Sequence, residues 1–170
     1  MKIAIVYYSK SGNTRCVAQL LADQIRGDET EVDLIEIEAV KTPGFLKAGY
    51  ASWRQLELPI KNTNIDVDRY DFIITGSPVW GGKPAPFIGT FLKKAKNIEG
   101  KKAAFFITGA GEPDTQSKAR KLFRDNLEKS GLKPIDCSLA LQMQKGEILL
   151  GEQGIGGFVE AISSSQPSSE

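Results

Sequence analysis

The sequence predicts an α/β domain in which a doubly wound, five-stranded parallel sheet lies between two layers of helices. Five short apolar runs alternate along the chain with amphipathic stretches, as parallel strands joined by crossover helices require. The first run, Ile3–Tyr8, is apolar or aromatic throughout, which is typical of a strand buried on both faces. A length of 170 residues is enough for one domain with its own core.

The pattern of apolar and polar residues predicts each strand and helix in chain order. Acidic residues dot the second run, Val32–Ile37, and suit an edge strand that avoids pairing with other chains. The last run alternates apolar with small or polar residues, which indicates one exposed face and a peripheral position. The strands are expected at residues 3–8, 32–37, 71–75, 103–108 and 137–143. The helices are expected around residues 17–25, 84–94, 114–130 and 155–162.

The rest of the chain has a less regular pattern. Gly44, Gly49 and Pro59 interrupt a helix expected within residues 38–65, and residues 144–154 are expected to be irregular. We predict one domain over residues 1–162, followed by a disordered, serine-rich tail at residues 163–170. No apolar run is long enough for a secretory signal or a membrane span, so we expect a cytoplasmic protein with no membrane partner.

The composition removes several classes of chemistry. The chain has no histidine, which excludes Ser-His-Asp and Cys-His catalysis and histidine-ligated zinc. The two cysteines, Cys16 and Cys137, are too few for an iron–sulfur cluster, and we expect no metal site and a buried, inert Cys16. With 22 basic and 21 acidic side chains, the protein has no overall field that would collect nucleic acid. A bound group must therefore carry any chemistry.

Three loops of unusual composition follow predicted strands, at the strand ends where open α/β sheets bind ligands. The first loop offers hydroxyls, an amide and backbone N–H groups at the start of a helix, which together suit an anion. Its spacing is not that of a Walker A loop, so a terminal phosphate monoester fits better than a magnesium nucleotide. The alternative is a polar helix cap, which needs only one such residue. The candidate phosphate-binding residues are Ser9, Lys10, Ser11, Gly12, Asn13 and Thr14.

The other two loops suit a planar ligand. Trp80 stands in a glycine-rich turn, where its indole can cover a flat ring and the glycines let the backbone approach closely. The alternative is a tryptophan that closes the end of the sheet. The last loop offers backbone N–H and C=O groups with little side-chain bulk. The candidates are Pro78, Val79, Trp80, Gly81 and Gly82 in the second loop, and Thr108, Gly109, Ala110, Gly111 and Glu112 in the third.

These motifs resemble those of the flavodoxin family, in its short-chain form with a C-terminal extension, from Met1 to about Ile162. YYSKSGNT is similar to the family's phosphate loop, GSPVWGGKPAPF to its first isoalloxazine loop and TGAGEP to its second. The resemblance implies FMN as the cofactor, with its phosphate on the first loop, its ring against Trp80 and its pyrimidine edge on the backbone near Thr108–Glu112. It also implies that the peptide after Trp80 can turn its carbonyl towards flavin N5, a change that Gly81 makes inexpensive.

Two features depart from the family pattern. The second ring loop carries no aromatic residue, so one face of the ring is open or is covered by another residue, such as Tyr50 or Trp53. The chain is also neutral, whereas flavodoxins that carry electrons are typically acidic. Both departures count somewhat in favour of a flavin oxidoreductase over a pure electron carrier.

Three functions follow as hypotheses. The first, which the resemblance favours, is an FMN electron carrier that moves electrons between a reductase and low-potential acceptor proteins, with no catalytic residue of its own and with Glu112 lowering the flavin potential. The second is an NAD(P)H-dependent FMN oxidoreductase acting on a quinone, although the chain has no GxGxxG motif for a nicotinamide. A response-regulator receiver is disfavoured, because Tyr7–Ser9 and Gly76–Ser77 stand where it needs acidic residues. The oligomeric state, monomer or homodimer, is left open.

Overall fold

A computed structural model describes residues 1–165 of the chain, apart from the side chain of Phe45. Its strands are β1 (Lys2–Tyr7), β2 (Glu31–Glu36), β3 (Phe72–Trp80), β4 (Lys83–Pro84), β5 (Lys102–Gly109), β6 (Lys133–Gln144) and β7 (Glu147–Leu150). Its α-helices are α1 (Asn13–Ile25), α2 (Phe45–Arg54), α3 (Pro86–Lys94), α4 (Ser117–Lys129) and α5 (Gly154–Ser164), and a 3₁₀ turn at Pro113–Gln116 precedes α4.

The centre of the sheet consists of five parallel strands in the order β2-β1-β3-β5-β6. The chain passes from β1 to β2 on one side and then builds the other side from β3 onwards, so the strand order reverses between β1 and β3. In open α/β sheets, ligands bind beyond the carboxyl ends of the strands at such a switch point. The predicted doubly wound fold is confirmed, and the acidic strand β2 lies at the edge of the sheet as expected.

Helices cover both faces of the sheet, which explains why β1 is apolar or aromatic from Ile3 onwards. Alternate residues of β1 enter different cores: Ile3 and Ile5 face one helical layer, whereas Ala4 and Val6 face the other. Each large apolar side chain that is fully buried in this way contributes about 1.5–3 kcal/mol. The helices close the cores with Leu21 and Phe158 on the side of α1 and α5, and with Phe87, Phe91 and Phe123 on the side of α3 and α4.

The strand β3 is longer than the sequence predicted, since it continues through Gly76 to Trp80. The strand passes through Gly76 because it stays paired with β5 as far as Pro78. Position 76 needs a glycine, since a Cβ atom there would come within 2.2 Å of Phe106 Cζ. Beyond Trp80 the chain reverses at Gly81 and Gly82, whose φ angles of +56° and +76° favour glycine, and returns as β4. The second candidate loop is therefore a β-hairpin.

Other boundaries also differ from expectation. Residues 144–154, predicted to be irregular, contain β7, which pairs antiparallel with the end of β6 at residues 142–144. The interrupted helix within residues 38–65 is α2, and α5 extends to Ser164, two residues into the segment predicted as a tail. Residues 166–170 of that segment lie outside the described residues. Within residues 1–165, no helix is long and apolar enough to cross a bilayer, and no cluster of three acidic or cysteine side chains is placed to hold a metal ion.

Candidate functional site

The loop after β1 is shaped by the side chain of Ser9. Its Oγ accepts the backbone N–H groups of Gly12 at 3.1 Å and Arg15 at 3.2 Å, so the loop folds back over the start of α1. Gly12 makes this turn with φ +94°, a left-handed conformation that other residues rarely adopt. Ser9 thus has the helix-capping role that the sequence left as an alternative. The anion site depends on the remaining residues of the loop.

Several hydrogen-bond donors of this loop are left free. The backbone N–H groups of Ser11, Asn13 and Thr14 donate to no protein acceptor in the described part of the chain. Donors in the first turn of a helix have no partner in their own helix, and they lie at the positive end of its dipole. Each bond to a charged acceptor contributes about 1.5–3 kcal/mol. The donor set therefore fits a phosphate monoester such as that of FMN.

Thr14 connects the phosphate loop to the second ring loop. Its side chain is almost completely buried, and its Oγ1 lies 2.8 Å from Thr108 Oγ1 at the end of β5. Either hydroxyl can donate in this pair, which leaves the proton of the other free for a further acceptor. The sequence predicted both threonines as cofactor residues, and the structure adds that they contact one another.

Asn13 binds a turn that the sequence analysis did not include in the site. Its Oδ1 accepts the backbone N–H of Gly146 at 2.8 Å, which draws the β6–β7 turn against the phosphate loop. Lys145 and Gly146 form that turn with φ angles of +49° and +88°. The Lys-Gly pair of this turn is visible in the sequence, but its contact with Asn13 joins residues that are 133 positions apart.

Trp80 packs against two other aromatic rings, and neither of them lies parallel to its indole. The rings of Tyr8 and Phe87 meet it nearly perpendicularly, at centroid distances of 5.6 and 6.2 Å. Among the described side chains, which leave out Phe45, no aromatic ring lies parallel to it. The Lys10 ammonium stands 5.4 Å from the ring centroid and links the phosphate loop to the ring site. A planar ring can therefore stack on Trp80 once this flexible lysine side chain turns aside.

Helix α2 lies against the hairpin that carries Trp80. Lys83 Nζ donates to Trp53 O at 2.6 Å, and Ser52 Oγ donates to Pro84 O at 3.1 Å. Tyr50 and Trp53 project from the exposed side of the helix, with ring centroids 6.3 Å apart. An apolar groove of about 470 Å³ also runs along the helix beside Tyr50. The sequence named these two aromatic residues as possible covers for the ring, and the structure places the helix that carries them against the Trp80 hairpin.

Two glutamines hold the carbonyl groups of the third loop. Gln142 Nε2 donates to Ala110 O at 2.7 Å, and Gln116 Nε2 donates to Gly111 O at 2.6 Å. The N–H groups of Ala110 and Gly111 donate to no acceptor in the described part of the chain, so they suit the carbonyl oxygens on the pyrimidine edge of a flavin. The sequence analysis missed both glutamines, because each reaches the loop from another element.

The charges near the phosphate loop are partly neutralised. The Arg15 guanidinium donates to both carboxylate oxygens of Glu36, at 2.9 and 2.6 Å, and this pairing raises the pKa of Arg15. Burial raises the pKa of the neighbouring Tyr7 and Tyr8 hydroxyls, which keeps both neutral. Lys10, by contrast, forms no ion pair among the described residues and remains a free cation at the loop.

The structure brings all three predicted loops to the same edge of the sheet. The phosphate loop and the third loop meet at Thr14 and Thr108, and the hairpin meets the phosphate loop through Trp80 and Lys10. Their direct contact with FMN stays a prediction. One expectation was wrong: Cys16 is exposed rather than buried in α1. Its side chain points towards the β6–β7 turn: a Cβ atom added at Gly146 would lie 4.0 Å from Cys16 Sγ.

Comparison with known proteins agrees with this geometry. The sequence profile described as NADPH-dependent FMN reductase matches residues 1–136. A curated relative, an NAD(P)H dehydrogenase (quinone) of Rhodopseudomonas palustris, is 26% identical over 157 residues, which cover 89% of this chain and 76% of the relative.

Solved structures are similar over nearly the whole chain. A flavoprotein from Lactobacillus acidophilus in complex with FMN has a TM-score of 0.67 and 26% identity, and the match covers 92% of this chain and 97% of that one. Oxidised flavodoxin 2 from Bacillus cereus has a TM-score of 0.64 and 25% identity, with coverage of 98% and 100%. The expectations of a flavodoxin-like fold and of FMN as the cofactor are confirmed.

Proposed function

This chain belongs to the NADPH-dependent FMN reductase family, and we propose on that premise that it is an oxidoreductase that takes reducing equivalents from NAD(P)H and delivers them to a planar acceptor such as a quinone. The observation that carries this proposal is the open side of the ring site. The second ring loop, residues 108–112, has no aromatic side chain, and helix α2 beside the Trp80 hairpin exposes Tyr50 and Trp53.

An open ring face suits an enzyme better than a carrier. Hydride transfer requires the donor to lie face to face with the flavin ring, with reacting atoms about 3–3.5 Å apart. A carrier that passes single electrons needs only an exposed ring edge. Because the second ring loop contains no aromatic side chain to cover the ring, substrates have access to a face. The relative from Rhodopseudomonas palustris, named for NAD(P)H and a quinone, supports the same choice.

Each part of the site has its own role in the proposed reaction. The free N–H groups after Gly12 hold the phosphate of FMN, and the N–H groups of Ala110 and Gly111 orient its ring. Trp80 supports one face of the ring, and the exposed rings of Tyr50 and Trp53 receive the planar acceptor. Bound FMN supplies the hydride and electron chemistry that the side chains of this chain cannot.

Anaerobic mixing tests the proposal. FMN-loaded protein is mixed with NADPH or NADH, and the absorbance of the oxidised flavin is followed before and after a quinone is added. We expect the absorbance to disappear with at least one nicotinamide and to return with the quinone. Trp53→Ala is expected to raise the KM for the quinone by about 2–10-fold, because one ring stack is lost. Leu46→Ala, on the first turn of the same helix, serves as the control. Absence of reduction by either nicotinamide would refute the proposal.

The electron carrier remains the second candidate. The match to Bacillus cereus flavodoxin 2 over 98% of this chain favours it, as does the absence of a GxGxxG motif. Its partners would be a reductase and an acceptor protein. A carrier would be reduced rapidly by a flavoprotein reductase but not by free NADPH or NADH. The two candidates therefore give opposite results in the same mixing experiment.

A further inference from the structure

The turn between β6 and β7 contains a residue that its backbone conformation does not favour. Lys145 and Gly146 are the two central residues of the hairpin loop, since Gln144 pairs with Glu147 on either side of them. Their φ angles of +49° and +88° are those of a type I′ turn, whose first central position favours asparagine, aspartate or glycine. A lysine in this left-handed conformation is strained, and strain of this kind clusters at functional sites. The lysine therefore indicates a role for its side chain rather than for the turn.

The tip of this turn lies against the start of α1. The side chain of Asn13, the first residue of the helix, accepts the N–H of Gly146 at 2.8 Å. One turn further along the helix, Cys16 Sγ would lie 4.0 Å from a Cβ atom added at Gly146. Lys145 is thus held beside the first turn of α1, where the N–H groups of Asn13 and Thr14 are free. Because lysine carries its ammonium on a flexible four-carbon stem, it can reach an anion that these groups bind.

The charge of Lys145 is not used within the protein. Its side chain is exposed and forms no ion pair with any described residue, Glu147 across the turn included. Of the two cations in or beside the phosphate loop, Arg15 is neutralised by both carboxylate oxygens of Glu36, and the Lys10 ammonium stands over the indole of the ring site. A phosphate monoester carries a charge of about −1.5 to −2 at pH 7. The loop alone therefore leaves part of this charge unbalanced.

We propose that the β6–β7 turn is a second part of the phosphate site, in which Asn13 holds the turn beside the loop and the Lys145 ammonium pairs with the phosphate of FMN. Lys145 acts on binding and not on electron transfer. It selects a phosphorylated flavin over riboflavin, which has the same ring but no phosphate. The inference depends on the phosphate of FMN lying at the first loop, and it does not depend on which donor reduces the flavin.

Lys145→Asn separates the cation from the turn. Asn-Gly is a favoured pair for a type I′ turn, so this variant is expected to keep or raise the free energy of unfolding, measured in urea, while it removes the charge. We expect the Kd for FMN to rise by about 3–10-fold, because one charge-assisted contact at an accessible site is lost. The Kd for riboflavin is expected to stay unchanged. Quenching of flavin fluorescence on binding measures both constants.

Two control variants and a salt titration identify the charge as the cause. Lys145→Arg keeps the cation and is expected to retain the affinity for FMN. Lys129→Asn removes an exposed lysine at the end of α4 that forms no ion pair within residues 1–165, and it is expected to leave the Kd for FMN unchanged. Salt screens the attraction between exposed charges. Increasing KCl is therefore expected to weaken FMN binding less in Lys145→Asn than in the wild-type protein, so that the two affinities converge at high salt.

Asn13→Ala tests how the turn is held, because it removes the contact with Gly146 and keeps the backbone N–H of residue 13. In this background, Lys145→Asn is expected to reduce FMN affinity less than it does in the wild-type protein, since the lysine is no longer held in place. Three results would overturn the proposal: an unchanged Kd for FMN in Lys145→Asn, an equal loss of affinity for FMN and riboflavin, or full additivity with Asn13→Ala. None of these measurements uses NAD(P)H or a quinone, so their outcome is independent of the proposed reaction.

Discussion

Replacing Thr14 by valine separates the two roles that the structure gives this residue. The side chain is 1% exposed, and its hydroxyl lies 2.8 Å from that of Thr108, which is 2% exposed. Valine keeps the shape of threonine but removes the hydroxyl, so the Thr108 hydroxyl is left buried without its partner. Such a group costs about 1–3 kcal/mol. We expect the free energy of unfolding, measured in urea, to fall by about this amount.

FMN affinity reports the second role. If Thr14 uses its remaining proton to donate to the phosphate, Thr14→Val loses a charge-assisted bond of about 1.5–3 kcal/mol as well, which corresponds to about 10–150-fold in Kd. Thr108→Val removes the same pair of hydroxyls from the other side and keeps the Thr14 proton. It is therefore expected to lower stability comparably but to retain most of the affinity. Quenching of FMN fluorescence on binding measures the Kd of each variant.

Thr14→Ser is the control, because it keeps the hydroxyl and removes only a methyl group. The reasoning is refuted in either of two cases. Equal losses of FMN affinity in Thr14→Val and Thr108→Val would mean that Thr14 only positions the loop. An unchanged affinity in Thr14→Val would remove this residue from the phosphate site altogether.

Three further predictions concern the ring, the core and pH. Trp80→Ala is expected to shift the midpoint potentials of bound FMN, whereas Trp80→Phe is expected largely to preserve them. Potentials that are unchanged in Trp80→Ala, measured by spectroelectrochemical titration, would mean that the indole does not stack on the ring. Gly76→Ala is expected to destabilise the fold by about 1–3 kcal/mol in urea, since its Cβ would lie 2.2 Å from Phe106 Cζ, and the added change Phe106→Leu is expected to recover part of the loss. Burial raises the pKa of the Tyr8 and Tyr70 hydroxyls above the ordinary 10.0. The stability that these neutral hydroxyls contribute is therefore complete below pH 10, and it is lost as the pH rises through the raised pKa values. Tyr70→Phe is expected to flatten this alkaline decline in the free energy of unfolding, measured in urea.

The architecture was accessible from the sequence because it depends on local patterns. An apolar run such as Ile3–Tyr8 can be satisfied only between two helical layers, and the charges of β2 suit only an edge. The loops were accessible for the same reason. Glycine, hydroxyl and amide residues at a strand end stand out against ordinary connections, and the Trp80 turn is unusual in its own composition.

The residues that hold the loops of the site in place could not be predicted from the sequence, because they come from distant parts of the chain. Nothing local about Gln116 or Gln142 indicates that each binds a carbonyl of the third loop. The contact of Asn13 with Gly146 spans 133 positions, and it exists only because β7 pairs back onto β6. The length of β3 likewise depended on its pairing with β5, which continues to Pro78.

By itself, then, the amino-acid sequence determined the two helical layers around the sheet, the edge of the sheet at which the candidate loops lie and the hydrogen-bond donors that these loops offer. These features follow from periodicity and residue chemistry over a few positions. Only the tertiary structure decided which hydroxyl caps the helix, which hydroxyls meet, which loop carbonyls are held and which apolar side chains stay exposed around the ring. The physical reason is that hydrogen-bond partners and burial depend on how strands and helices pack in space, and packing joins residues that no local pattern connects.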